Sequence, residues 1–103
     1  MADMKAQVEL LPDETWHEAA ECLKVMAHPV RLKIVSILIQ GEFAVHEISA
    51  LAGISPNQTC GHLRLLQARN LLSSERRGRT VYYRIVSDRL PGLIRCIGGN
   101  YRT

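Results

Sequence analysis

The feature that most constrains the fold is a pair of short helical segments separated by a tight turn. The segment VHEISALA (45–52) has apolar residues at helical spacing and ends at Gly53. The segment PNQTCGHLRLLQARN follows Ser55, a favoured N-cap residue, and has Pro56 at its first helical position. Only a short turn around Gly53 lies between the two segments. Two short helices joined in this way form a helix-turn-helix unit.

Two further helices are expected before this unit. Thr15 and Glu18 form a capping-box pattern that predicts a helix start at Thr15, with Asp13 as a competing cap. The dipeptide His28-Pro29 ends this helix, because the residue before a proline is disfavoured in the α region. A second helix, apolar on nearly every side, then runs to Gly41 and should be buried centrally. The first helix has an apolar stripe made of Trp16, Ala19, Ala20, Leu23, Met26 and Ala27.

A β-hairpin and a last helix are expected after the unit. The stretch LLSSERRGRTVYYRIV predicts two short strands around Arg77-Gly78-Arg79. The last helix is expected from about Asp88 to Ile97, ended by Gly98-Gly99. The order of elements predicts a mainly α protein with a small β-hairpin. This is a winged helix-turn-helix of five helices and a two-stranded wing, and we expect residues 1–103 to form one domain.

Charge is distributed unevenly along the chain. Residues 1–53 contain four basic and eight acidic residues, a net charge of −4. Residues 54–103 contain nine arginines and two acidic residues, a net charge of +7. Arginine matches phosphate and guanine edges well, so the second half predicts a polyanionic partner. The alternative interpretation is a solvated basic face.

Several classes of protein are excluded by what the sequence lacks. No apolar run reaches the roughly 18 residues that span a membrane, and the N-terminal MADMKAQVELLPDE is too acidic for a signal peptide. We therefore expect a cytoplasmic protein that does not contact a membrane. Three widely spaced cysteines are not a disulfide framework. No glycine-rich phosphate loop, nucleophile elbow or carboxylate pair predicts an enzyme, and no cofactor is expected.

The second helix of the unit has two distinct faces. At about 100° per residue, Thr59, Leu63 and Leu66 form an inward face. The opposite face, with Asn57, Gly61, Arg64 and Ala68, has the polar and small side chains that suit a major groove. Gln58 and Cys60 flank that outward face, and His62 lies at the edge of the inward one, where it either orients the helix or touches DNA. The candidate DNA-binding residues are Asn57, Gln58, Cys60, His62, Arg64, Arg76, Arg77 and Arg79.

The three hairpin arginines are expected to bind DNA in a different way from the residues of the helix. Arg76, Arg77 and Arg79 are expected to contact phosphates or the minor groove, which sets affinity and register more than sequence preference. The alternative is an ordinary solvated turn.

Three segments resemble the ArsR/SmtB family of dimeric repressors. They are ECLKVMAHPVRLKIVSIL, GEFAVHEISALAGISPNQTCGHLRLLQARNLL and ERRGRTVYYRI, which together cover roughly residues 18–97. The Ala27-His28-Pro29-x-Arg31 turn and the Gly78-Arg79-x-Val81-Tyr82-Tyr83 wing are the most distinctive parts. The resemblance implies a homodimer that binds double-stranded operator DNA. Family members typically repress a metal, metalloid or stress operon and leave DNA when an effector binds.

The familiar metal sites of that family are absent from this sequence. Thiolate-metal members have two cysteines on the third helix, where this chain has Ala44 and His46. Members with a zinc site on the last helix supply Asp and His there, whereas SDRLPGLIRCIGGN has no histidine. His46 with Glu47 is at most a fragment of a hard-metal site, because it does not complete a four-ligand zinc shell. We therefore predict no metal site.

Two cysteines remain as a candidate thiol sensor. Cys22 and Cys96 each lie at the boundary of the apolar stripe of a helix, and the resemblance implies that the first and last helices form the dimer interface. Two thiolates can bind arsenite or mercury, or can form a disulfide, so a small inorganic effector is expected. The alternative is that both cysteines are small buried apolar residues. Cys60 would instead hinder DNA docking directly if it were oxidised.

Two other interpretations stay open. The fold also serves as a winged-helix protein-interaction module, in which the arginines only promote solubility. The alternative of a repressor without a small-molecule effector is also compatible with the sequence.

Overall fold

The computed structural model describes residues 7–98, which form five helices and one three-stranded antiparallel sheet. The order of elements confirms the winged helix-turn-helix architecture. The elements are α1 (Asp13–Met26), α2 (Pro29–Ile39), β1 (Phe43–Ala44), α3 (Val45–Ala52), α4 (Pro56–Ala68), β2 (Leu72–Arg77), β3 (Thr80–Ile85) and α5 (Arg89–Gly98).

The start of α1 differs from the sequence-based prediction. The helix begins at Asp13, and its N-cap residue is Pro12, which makes no side-chain capping bond. The carbonyl of Pro12 accepts the backbone N–H of Thr15 at 3.0 Å. The predicted Thr15 cap is therefore wrong, because Thr15 already lies in the first turn. The proline backbone is preset for the entry, and Asp13 and Glu14 stabilise the positive end of the helix.

The junction of α1 and α2 agrees with the prediction. His28 has an extended backbone, as expected before a proline, and its Nδ1 accepts the backbone N–H of Val30 at 3.2 Å. Pro29 occupies the first turn of α2. Ile34 and Val35 are completely buried, so α2 is the central helix of the core. The buried apolar cluster around it comprises Val25, Met26, Ile34, Val35, Leu38, Ile48, Ala52, Leu63, Leu66, Leu71, Leu72 and Leu90.

The turn between α3 and α4 is fixed by local hydrogen bonds. Gly53 has a φ of 73°, a left-handed conformation that glycine adopts without strain. Ser49 accepts the Gly53 N–H through its carbonyl, and its hydroxyl donates to the carbonyl of Ile54 at 3.1 Å. Ser55 then caps α4 by accepting the backbone N–H of Gln58. These contacts set the angle at which α4 leaves the body of the protein.

The wing contains one strand more than predicted. The strands are ordered β1-β3-β2, and Phe43 and Ala44 of β1 pair with Tyr83 and Tyr82 of β3. Two residues are too few for an alternating pattern, so only the long-range pairing defines β1. The predicted hairpin of β2 and β3 is confirmed, and it turns at Gly78, whose φ is 66°.

The predicted apolar stripe of α1 is divided between the core and the surface. Met26 is buried, whereas Trp16 is 49% exposed and Leu23 is 53% exposed. Ile97 near the end of α5 is also exposed, so both terminal helices present apolar surface that the single chain leaves uncovered. Gly99, predicted to help end α5, lies outside the described residues. Within residues 7–98 no helix is both long and apolar enough to cross a membrane.

Candidate nucleic-acid interface

The two faces of α4 lie as predicted. Thr59, Leu63 and Leu66 are completely buried, and the Thr59 hydroxyl donates to the carbonyl of Ser55 at 2.9 Å. The opposite face is exposed, and its residues are Asn57, Gly61, Arg64 and Ala68. Because the inward face is anchored in the core, the outward face is held at a fixed orientation.

Gln58 has a local structural role as well as an exposed position. Its Oε1 accepts the backbone N–H of Ser55 at 3.2 Å and the Ser55 hydroxyl at 3.3 Å. Gln58 and Ser55 therefore form a reciprocal capping box at the start of α4. The carbonyl end of this side chain is engaged in the cap, and the amide NH₂ is the end left for a partner.

His62 is bound to the body of the protein. The Nε of Arg31 donates to the Nδ1 of His62 at 3.3 Å, and the His28 ring lies edge-on with its centroid 4.9 Å away. Burial, assisted by the charges of His28 and Arg31, lowers the pKa of His62. The neutral imidazole is the form that can accept the bond from Arg31.

Arg31 links α1 to α4 and was not among the candidate site residues predicted from the sequence. Its Nη1 donates to the carbonyl of Val25 at 3.1 Å, near the end of α1. The same side chain therefore joins the end of α1 to His62 of α4. The Pro29-x-Arg31 pattern in the sequence points to this arginine. The pattern alone does not indicate that its side chain binds His62 and the carbonyl of Val25.

Arg77 is engaged within the protein, unlike the other two hairpin arginines. Its Nη2 lies 2.8 Å from Oε2 of Glu42 and 2.6 Å from Oε1 of Glu75, and its guanidinium is 4.9 Å from the centroid of the Tyr82 ring. The hydrogen bond that Arg77 donates to Glu75 is the main cause that raises the pKa of Arg77. Arg77 therefore fastens the wing to the loop before β1.

Arg76 and Arg79 are exposed cations of the wing. Neither side chain makes a hydrogen bond or ion pair with the part of the chain that the structure describes. Arg79 lines a groove of about 330 Å³ that also includes His46 of α3 and Pro56 at the start of α4. The wing turn and the beginning of α4 therefore border the same groove.

His46 and Glu47 do not form a metal site with the other described residues. Glu47 accepts the backbone N–H of Ala44 at 2.8 Å and so caps α3, while His46 is exposed. No group of three or more His, Cys, Asp or Glu side chains suited to a metal ion occurs among residues 7–98.

The cysteines lie in three different environments. Cys22 is half-buried and lines a groove beside Arg89. Burial raises the pKa of the Cys22 thiol, and the charge of Arg89 opposes part of that shift. Cys96 is exposed on α5, about two turns beyond Arg89, and does not line the groove. Cys60 is half-buried on the flank of α4.

The fold and the exposed face of α4 define a winged helix-turn-helix protein of the DNA-binding type. Residues 28–74 match the model of the family described as "Bacterial regulatory protein, arsR family". The nodulation protein NolR of Rhizobium meliloti is 34% identical over 102 residues, covering 95% of this chain and 83% of NolR. This chain belongs to the ArsR/SmtB family of transcriptional regulators.

Two further comparisons support this assignment. The biofilm growth-associated repressor of Xylella fastidiosa is 30% identical over 81 residues, covering 79% of this chain and 71% of that protein. A homodimeric winged helix-turn-helix DNA-binding domain from Mycobacterium bovis superposes with a TM-score of 0.73 at 26% identity, covering 91% of this chain and 90% of that domain. The family consists of DNA-binding regulators, in agreement with the sequence-based exclusion of an enzyme.

Proposed function

We propose that this chain is a homodimeric transcriptional repressor that binds double-stranded operator DNA through α4 and the wing. The observation that carries the proposal is the exposed polar face of α4 next to a wing turn whose Arg79 borders the same groove. Relatives described as repressors support the regulatory role. Bacterial chromosomal DNA lies in the cytoplasm, so we also propose that this protein acts in the cytoplasm.

The candidate residues divide into base-reading and phosphate-binding groups. Asn57, Arg64 and the amide NH₂ of Gln58 have the donors and acceptors that read base edges in a major groove. Arg76 and Arg79 are exposed cations suited to phosphates or the minor groove. Cys60 flanks the reading face.

His62 and Arg77 are proposed to act indirectly. Both side chains have partners inside the protein, so they orient α4 and the wing, respectively. For Arg77 this modifies the sequence-based hypothesis of a direct contact. For His62 it takes the orienting role, one of the two alternatives that the sequence left open.

The dimer is proposed to use the terminal helices. The exposed apolar side chains of α1 and α5, with Trp16, Leu23 and Ile97 among them, need a partner surface. A dimer with two copies of α4 requires two half-sites about one helical turn, roughly 34 Å, apart. We take residues 1–103 as one domain of that dimer.

An effector that reacts with thiols remains part of the proposal. Cys22 and Cys96 belong to the two helices that present the uncovered apolar surface, so a bridge between these thiols would alter the angle between the two wings. A metalloid, a soft metal ion or an oxidant is the class of effector that such a pair would bind or react with.

Selection of DNA by the full chain tests the proposed function. A random duplex library is enriched on the purified protein, and the affinity of the selected sequence is measured at several salt concentrations. We expect a two-fold symmetric sequence whose binding weakens with salt and exceeds that of random DNA by at least about 10³. Equal binding of selected and random DNA would instead favour the protein-interaction module with a generic basic surface.

A further inference from the structure

A groove of about 600 Å³ lies between α1, the end of α4 and the start of α5. The proposed DNA-binding residues do not line it. Its apolar lining includes the buried side chains of Val25 and Leu71, together with the exposed Ala68 near the end of α4. Its charged side chains come from three helices. Glu18 and Glu21 lie on α1, Arg69 lies at the end of α4, and Arg89 lies at the start of α5.

The charged side chains of the groove form weak ion pairs. Nη2 of Arg89 lies 3.4 Å from Oε2 of Glu18, and Nη1 of Arg69 lies 3.5 Å from Oε2 of Glu21. All four side chains are at least 44% exposed. Exposed pairs of this kind contribute little to stability, because water screens the charges and the long side chains lose freedom when they pair, so a ligand can displace them.

The groove has more hydrogen-bond donors than acceptors. Each guanidinium has five N–H donors, and in the described residues the side chains of Arg69 and Arg89 each make one hydrogen bond. Glu21 already uses both oxygens, since its Oε1 pairs with Lys24 at 3.3 Å. A ligand rich in acceptors therefore fits this groove better than a cation does.

We propose that this groove binds a small organic anion with an apolar body, either a carboxylate or a phosphate ester. The anionic group pairs with Arg69 and Arg89 in place of the glutamates, and the apolar body contacts Val25 and Leu71. A volume of about 600 Å³ is within the range of small-molecule sites. When Arg69 pairs with the ligand instead of Glu21, the carboxylate of Glu21 keeps its ion pair with Lys24. The exchange therefore leaves no unpaired carboxylate at Glu21.

The groove lies on the side of α1 that faces away from its exposed apolar stripe. At about 100° per residue, Glu18, Glu21 and Val25 are centred roughly 180° from Trp16 and Leu23. A dimer that covers the stripe therefore leaves this flank of α1 accessible to a ligand.

The position of the two arginines couples the groove to DNA binding, an inference that rests on the proposed function. Arg69 is the C-cap residue of α4, and Arg89 is the first residue of α5. An anion held by both arginines connects the DNA-reading helix to a helix of the proposed dimer interface. Allosteric couplings typically change affinity about 5- to 150-fold, so we expect at least a fivefold change in DNA affinity.

The first test is a titration of the full chain monitored by backbone amide NMR shifts. The probes are phenylacetate and phenyl phosphate, with ionic strength held constant by NaCl. We expect saturable shifts at Arg69, Asn70 and Ser87 with at least one probe, and the tighter probe identifies the anionic group. Shifts that do not saturate, or that are equally large at Arg76 and Arg79 of the wing, would overturn the proposal.

Charge-neutral variants make the test specific. Arg69→Gln and Arg89→Gln should each weaken probe binding at least tenfold, whereas Arg95→Gln, on α5 but outside the groove, should not alter it. Glu18→Gln frees Arg89 and should tighten binding severalfold, a gain that misfolding would not produce. Unchanged affinity in both arginine variants, or no gain in Glu18→Gln, contradicts the assignment.

The last test separates the groove from the proposed function. The affinity for the selected duplex is measured with and without the saturating probe, in the wild type and in Arg89→Gln. We expect the probe to change the affinity at least fivefold in the wild type only. If the probe binds but the DNA affinity is constant, the coupling is wrong. If no duplex is selected, the repressor proposal fails, while the NMR titration still decides whether the groove binds anions.

Discussion

Arg31 and His62 are joined across 31 positions of the sequence by a hydrogen bond from Nε to Nδ1 of 3.3 Å. Because Arg31 also donates to the carbonyl of Val25, this bond ties the orientation of α4 to the junction of α1 and α2. The bond requires a neutral imidazole, which makes the arrangement sensitive to pH.

Acidification should destabilise the folded chain through His62. Burial, with His28 and Arg31, lowers the pKa of His62, so the unfolded chain binds the proton more readily than the folded one. The stabilisation is complete above the ordinary histidine pKa of about 6.5 and is lost as pH falls through the lower folded pKa. Urea unfolding of the wild type and of His62→Gln between pH 8 and 5 measures how the free energy of unfolding depends on pH. The wild type should lose more stability than the variant, and His17→Gln, at an exposed position, serves as control. Parallel pH profiles for the wild type and His62→Gln would exclude this role.

Arg64→Ala should reduce specificity for the operator. The side chain lies on the exposed face of α4, where a bidentate contact to guanine contributes about 1–3 kcal/mol. Fluorescence anisotropy with operators substituted at each position should show relaxed preference at one base pair. Asn57→Ala provides a second variant of the same face, with an effect expected at another base pair. If Arg64→Ala binds operator and random DNA as the wild type does, the assigned reading face is wrong.

Arg79→Ala should weaken binding to all sequences. This exposed wing cation is proposed to contact a phosphate, so its loss should lower the slope of log K against log salt by about one unit. Arg84→Ala is a matched control, because Arg84 lies on β3 and donates to Ser73 at 3.1 Å. A base-specific loss in Arg79→Ala, without a change in salt slope, would assign this residue to readout instead.

Leu63→Ala should destabilise the chain far more than Leu51→Ala does. Leu63 is completely buried on the inward face of α4, whereas Leu51 of α3 is 60% exposed. Removing a buried leucine side chain typically costs about 2–5 kcal/mol. Chemical unfolding of both variants measures the difference. Similar free energies of unfolding would show that α4 is not anchored through this face.

The cysteine variants test the thiol hypothesis. Cys22→Ser and Cys96→Ser should keep DNA affinity but lose the response to an effector, whereas Cys60→Ser should keep both. Release from DNA is screened with arsenite, cadmium, zinc, mercury, peroxide and polysulfide. Because burial raises the pKa of Cys22, it should also be alkylated more slowly than the exposed Cys96 at neutral pH. Unaltered release of the double serine variant would locate the signal elsewhere.

The sequence predicts those features that depend on local periodicity and capping. The division of α4 into a buried and an exposed face follows from helical spacing, and the Ser55 cap follows from residue type. The start of α1 was misplaced because Pro12 provides the entry without a side-chain cap. The two-residue strand β1 is too short to produce a pattern of its own.

The partners of the charged side chains could not be predicted, because they depend on contacts distant in sequence. The sequence predicts a phosphate or minor-groove contact for Arg77, yet its side chain pairs with Glu42, which lies 35 positions earlier. Local pattern does not distinguish Arg77 from Arg79, whose side chain makes no hydrogen bond or ion pair within residues 7–98. The groove between α1, α4 and α5 also requires the folded arrangement, since its charged residues come from three segments that are distant along the chain.

The half-exposed Trp16 has a practical consequence for following assembly. It is the only tryptophan of the chain, and it lies on the uncovered apolar stripe of α1. In the dimer proposed above, the partner covers Trp16, so dilution should shift the fluorescence emission to longer wavelength as the indole becomes hydrated, without any added label. An optical signal of this kind would report the dissociation constant of the assembly directly.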